Sequence, residues 1–128
     1  MSENTVKDKL DVIFELQGLL DDDITLRRGL GGISSEEWIQ KDVLALVSEL
    51  GELLCEVNFK WWKNPKEIDS AAIKEEIVDV VHFVISMARR AGMTSDELYE
   101  GYIAKNKENF DRQYGRSKKE GYALTESE

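Results

Sequence analysis

Glu49 and Glu52 stand three residues apart, and so do Glu76 and Asp79. On a helix that spacing puts both members of a pair on one face. If the segments carrying the pairs pack antiparallel, four carboxylates converge. Four such groups repel one another and resist burial. A hard divalent cation, Mg²⁺ or Mn²⁺ in its place, removes the conflict because it prefers oxygen ligands. Glu56 continues the acidic stripe and Glu75 adjoins Glu76, so either is a candidate supplementary ligand. The alternative reading is a pair of solvated acidic faces. Asp79 weighs against it, because it sits among Ile77, Val78, Val80 and Val81 and Asp is a poor helix-interior residue. A di-iron bundle needs two Glu-x-x-His pairs. The chain has one histidine, His82. His82 reads instead as a hydrogen-bonded residue that orients the site without binding metal.

A second group is aromatic and basic. Phe59-Lys60-Trp61-Trp62-Lys63-Asn64 directly follows the first acidic pair. Aromatic faces stack on nucleobases and ammonium groups neutralise phosphates. One tryptophan of Trp61 and Trp62 is expected to plug the core and the other to face a ligand. Tyr102, Lys105, Asn109 and Arg112 share one helix face, and residues 102–119 hold six Lys or Arg against two acids. That face suits phosphate oxygens, or equally solvent. No Walker or Rossmann glycine motif occurs.

The elements that must position these groups read as helices. Pro65 is the only proline, and helical periodicity runs nearly throughout. The first helix is expected from about Asn4 to Asp23, with Val6, Leu10, Ile13, Leu20 and Ile24 as its stripe and Gln17 in one slot. Leu30-Gly31-Gly32 breaks it. Ser34 with Glu37 opens a second helix to about Asn58, with Val43, Val47, Leu50, Leu54 and Val57 facing the core. A third spans Ser70 to Arg90, with Ile73, Ile77, Val80, Val84 and Met87 inward, and Gly92 stops it. Its centre, Ile77–Val81, has strand-like propensity that the longer periodicity overrules. A fourth starts after Thr94 and ends near Gln113. The expectation is one all-α domain over 1–128, an antiparallel bundle of about four helices, with 117–128 as a loosely ordered tail.

Composition bounds the partners. Seventeen Lys and Arg against 26 Asp and Glu leave a net charge of −9, which argues against nucleic acid polymers and anionic membranes. A single cysteine, Cys55, excludes an internal disulfide. No apolar run has membrane-spanning length and the N-terminus is polar, so a cytoplasmic protein is expected.

Glu49-Leu50-Gly51-Glu52 with Glu76-x-x-Asp79-x-x-His82-Phe83 resembles the all-α nucleoside triphosphate pyrophosphohydrolase superfamily, which includes MazG and the dimeric dUTPases. Phe14-Glu15-Leu16-Gln17, the aromatic-lysine segment, and Tyr102-Ile103-Ala104-Lys105-Asn106 running through Arg112-Gln113 to Gly121-Tyr122 are similar to the dimeric dUTPase branch. The resemblance covers about Lys9 to Tyr122. It implies that Glu49, Glu52, Glu76 and Asp79 are catalytic and hold two or more Mg²⁺ ions, and that Glu49 orients or deprotonates the attacking water. Lys60, Lys63, Lys105 and Arg112 would contact phosphates. Gln17, Trp62 and Asn109 would hold base and sugar, with Asp21 standing where the branch often has Asn. The implied reaction is dUTP to dUMP and pyrophosphate in a homodimer. A broader MazG-like substrate preference, and a non-enzymatic nucleotide-binding helical dimer, are the alternatives.

Overall fold

The computed structural model describes residues 6–125. Among them are four helices and no strand: α1 (Lys9–Arg27), α2 (Ser35–Glu56), α3 (Ser70–Arg90) and α4 (Ser95–Gln113). The all-helical reading holds, and Ile77–Val81 is helical. The described residues form two compact units that divide between Thr94 and Ser95. None of the helices is long and apolar enough to cross a membrane.

Local chemistry sets the ends. Asp8 and Asp11 cap α1 reciprocally, each side chain accepting from the other's backbone N–H at 2.9 and 3.1 Å. The expected start at Asn4 lies outside the described residues, and Val6 precedes the helix. At its other end α1 runs past Asp23 to Arg27, where Arg27 pairs with Asp23 at 3.1 Å. The break falls at Gly29, which takes φ 64°, ahead of the Gly31-Gly32 pair. Ser34 accepts from the Glu37 N–H at 3.2 Å and opens α2. Helix α2 stops at Glu56 because Asn58 turns left-handed, φ 55°. Asp69 caps α3 through the N–H groups of Ala71 and Ala72. Gly92, φ 83°, closes α3 as expected.

In the first unit, α3 is the helix on which both α1 and α2 pack. Helix α2 runs antiparallel to it: Trp38 and Asp42 near its start meet Arg90 and Ser86, whereas Glu49 meets Glu76. Helix α1 runs parallel to α3, with Gln17 opposite His82 and Asp21 opposite Ser86 and Arg89.

The inward face of α1 differs from the expected stripe. It is Phe14, Gln17, Gly18 and Asp21, while Ile13, Leu20 and Ile24 are exposed. The polar members are buried because α3 satisfies them. Gln17 donates to Asp21 at 2.9 Å and shares a 2.7 Å hydrogen bond with His82. Asp21 also accepts from Ser86 at 3.0 Å and from Arg89 at 3.3 Å. The stripes of α2 and α3 depart similarly: Val43, Val47, Leu50, Leu54, Val57, Ile77 and Val84 are exposed, and the buried apolar residues are Phe14, Ile85 and Ala88. Periodicity identifies an apolar face; within the first unit α1, α2 and α3 leave much of it open.

Gly18 has a definite task. A Cβ there would lie 2.5 Å from the Arg89 guanidinium, which crosses α1 to reach Asp21. Gly18→Ala gains about 1 kcal/mol of helix propensity. It also displaces Arg89 and leaves the Asp21 carboxylate, 10% exposed, short of a partner. Net destabilisation of about 1 kcal/mol or more is expected in urea melts. In an Arg89→Ala background the same change should stabilise. An unchanged sign across that cycle would rule the clash out.

The second unit has its own packing. Arg112 pairs with Glu108 at 3.1 Å and lies 5.5 Å from the Tyr122 ring. Arg116 and Lys107 both pair with Asp111. A hydrogen bond from Ser117, with Arg112, holds the Glu108 carboxyl below the usual range, and Lys107 with Arg116 does the same for Asp111. Residues 117–125 form no helix or strand.

Candidate metal centre and active site

Helices α2 and α3 bring Glu49, Glu76 and Asp79 together, one oxygen from each lying within 4.8 Å of the others. Glu52 lies outside that trio and is exposed, yet its charge acts on both Glu49 and Glu76. Burial is the first cause of strain here. It pushes the Glu76 carboxyl up to about 7, assisted by a hydrogen bond to Glu49 and by the charges of Glu52, Glu49 and Asp79. Burial likewise raises Glu49, opposed by its hydrogen bond with Glu76. Even so, Glu49 Oε2 and Glu76 Oε2 are buried with no hydrogen-bond partner. Orphaned carboxylate oxygens in a like-charged group fit a hard divalent cation, which satisfies the oxygens and offsets the repulsion. Glu75 is exposed beside the cluster, and Glu56 pairs with Lys66 at 3.2 Å.

The Glu76 shift has a sign that can be measured. Its folded value, about 7, exceeds the ordinary 4.5, so between those pH values the folded protein holds a proton that the unfolded chain releases. Metal-free stability should therefore fall as pH rises from about 4.5 to 7, and Mg²⁺ should remove most of that loss. Raised Asp42, buried against Ser86, adds in the same direction. Melting temperatures in EDTA and in Mg²⁺ across this range test it; parallel pH profiles would exclude the linkage.

The aromatic-lysine segment is a closed loop after α2. Both tryptophans are exposed, Trp61 at 86% and Trp62 at 63%, so the expectation that one plugs the core is corrected. They stack edge to face at 4.6 Å, and Phe59 meets Trp62 at 6.3 Å. Lys60, Lys63 and Lys66 line a 180 Å³ cavity with Cys55 and Asn64.

Between α1 and α3 lies an apolar groove of 390 Å³, walled by residues such as Leu16, Leu20, Val78 and Val81, with Gln17 and His82 as its polar members. Asp21 accepts from Gln17, Ser86 and Arg89. Gln17 turns its NH₂ toward Asp21 and its carbonyl, which can only accept, toward His82. His82 Nδ1 must then carry the proton. His82 thus contacts Gln17 rather than a metal ligand.

In the second unit, Lys105 and Asn109 are exposed on α4, whereas Arg112 is partly buried against Glu108 and Tyr122. Sequence reasoning missed Gly18, Asn58, Lys66 and Arg89. Only Asn58 left a local signal, an Asn directly after a helix.

Comparison with known proteins gives a consistent result. The chain is similar to the dCTP pyrophosphatase of Enterobacteria phage LZ5, 30% identical over 95 residues, which is 74% of this chain and 54% of that relative. It is also similar to the dCTP pyrophosphatase of Enterobacteria phage T4, 47% identical over 45 residues, 35% of this chain and 26% of that relative. The chain therefore spans about half the length of the first and about a quarter of the second. No solved structure matches. A family model described as dUTPase matches residues 9–92, which takes in α1, α2, α3 and all three clustered acids. By that match, over well more than half its length, the chain belongs to the dUTPase family.

Proposed function

We propose that the protein is a Mg²⁺-dependent pyrophosphohydrolase that converts dUTP to dUMP and pyrophosphate. The observation that carries this reading is the carboxylate trio with two orphaned buried oxygens, set within the segment matching the dUTPase model. Glu49, Glu76 and Asp79, with Glu52 beside them, would hold Mg²⁺, or Mn²⁺ in its place. Bound there, the metal supplies positive charge against the triphosphate and acidifies water. Glu49 would orient the attacking water or take its proton. Lys60 and Lys63 balance phosphate charge as the pyrophosphate departs. An exposed Trp62 face suits a base, and Gln17 presents its groove with a fixed polarity. On α4, in the second unit, Lys105 and Asn109 are exposed and Arg112 pairs with Glu108; a part for these three in phosphate binding rests on the sequence resemblance alone. The exposed apolar stripes support a homodimer.

A second reading, dCTP as the preferred substrate, is favoured by the names of both relatives. Steady-state rates for dUTP, dCTP, dTTP, dATP and dGTP with Mg²⁺, with products identified, decide between them. The proposal expects dUTP to exceed each of the others in kcat/KM by at least about tenfold. A lead for dCTP selects the second reading. Equal rates across all five exclude pyrimidine selectivity, and no Mg²⁺-stimulated hydrolysis excludes the enzyme.

A further inference from the structure

Asn58 is the one non-glycine residue with positive φ among the described residues. It follows the C-cap Val57 of α2, a position where glycine is the usual occupant because it pays no Cβ penalty. Asparagine accepts the same backbone at some cost, so its side chain calls for an explanation. Its carboxamide supplies one. Nδ2 donates to the Lys66 carbonyl at 2.9 Å, and Oδ1 accepts the Lys66 N–H at 3.0 Å. Both backbone groups of Lys66 are thus met by one side chain eight residues earlier. The Lys66 ammonium in turn reaches back to Glu56 at 3.2 Å on the last turn of α2. Residues 59–65 are thereby tied off at their base against the helix that carries Glu49.

We propose that Asn58 is a positioning residue: its two-bond clamp on Lys66 holds the loop so that Lys60, Lys63 and Trp62 face the substrate before it binds. This rests on the pyrophosphohydrolase reading given above. Without the clamp, the left-handed turn survives in a glycine variant but the loop samples many arrangements. Substrate must then select the competent one, which divides apparent affinity by the competent fraction. Once bound, the complex is the same, so turnover is preserved.

Asn58→Gly is the test, since it keeps the backbone conformation and removes both hydrogen bonds. The expected result is a rise in KM for the nucleotide of about tenfold, with kcat within about twofold. Asn58→Asp keeps the acceptor for the Lys66 N–H and loses the donor, so its KM should fall between the two. A second readout needs no activity: trypsin should cut after Lys60 or Lys63 at least about fivefold faster in Asn58→Gly, because an untied loop opens more often. Unchanged cleavage overturns the clamp. Faster cleavage with an unchanged KM, or with the loss in kcat alone, overturns the positioning role. If the wild type hydrolyses no nucleotide, the functional reading and the positioning role fail together, while the cleavage rates still decide whether the clamp exists.

Discussion

Glu76→Gln is expected to lower Mg²⁺-stimulated hydrolysis by more than about 100-fold while the metal-free protein melts at the same temperature or higher. Both halves follow from one geometry. Glu76 contributes an oxygen to the trio with Glu49 and Asp79, and its Oε2 is buried without a partner. Its carboxyl, pushed up to about 7, is about half protonated near neutral pH. Gln matches the protonated form in shape and removes a charge that burial and Glu49, Glu52 and Asp79 all oppose. The cation loses a charged ligand that an amide replaces poorly. Activity within a few-fold of wild type would place Glu76 outside the metal site. A large drop in metal-free melting temperature would show that its role is structural. Glu36→Gln, an exposed change of the same charge in the first turn of α2, controls for net charge and should leave rates unaltered.

Val47→Asp should weaken self-association by about 100-fold or more, because an unpaired carboxylate resists burial in an apolar interface. Val47 is 60% exposed, on the same α2 stripe as Val43, Leu50 and Leu54, all of them exposed too. Leu16 and Leu19 on α1 stand equally open, at 60% and 62%. Soluble chains seldom leave contiguous apolar surface of this kind uncovered. Burying one such side chain contributes about 1.5–3 kcal/mol. On the homodimer reading proposed above, a second copy of the chain covers this surface and each copy completes the other's core. Sedimentation of the wild type should show a dimer with a concentration-dependent melting temperature. The variant should sediment as a monomer and melt lower, without concentration dependence. A wild-type monomer at every concentration would refute the dimer.

The grouping of Glu49, Glu76 and Asp79 was legible because its information is local, although Glu52, expected with them, falls outside it. Glu49 and Glu52, like Glu76 and Asp79, sit one helical turn apart, and helix periodicity alone makes each pair share a face. The ends of α3 and the start of α2 were equally local, set by Gly92 and Ser34. What escaped was written across long separations. Gln17 and Asp21 meet His82 and Ser86 from 65 residues away, so nothing near Phe14 signals that α1 buries a polar stripe. Gly18 reads as a weak point in a helix until Arg89 is seen crossing it. Asn58 ties the base of the loop carrying Trp61 and Trp62 to a residue eight positions on, a bond that no local pattern announces, whereas hydrophobicity alone placed one of the two indoles in the core. The apolar stripes named the right kind of surface but carried no information on its cover.

Helix α3 is also a ruler. Asp79 faces the acids of α2 and His82, three residues on, faces Gln17 of α1. The spacing between cluster and groove is therefore fixed by the pitch of one helix, with no hinge or loop between them. A single residue inserted after Asp79 would turn one set by about 100° against the other. A substitution at either end acts on one site alone; a change in the count between them acts on both.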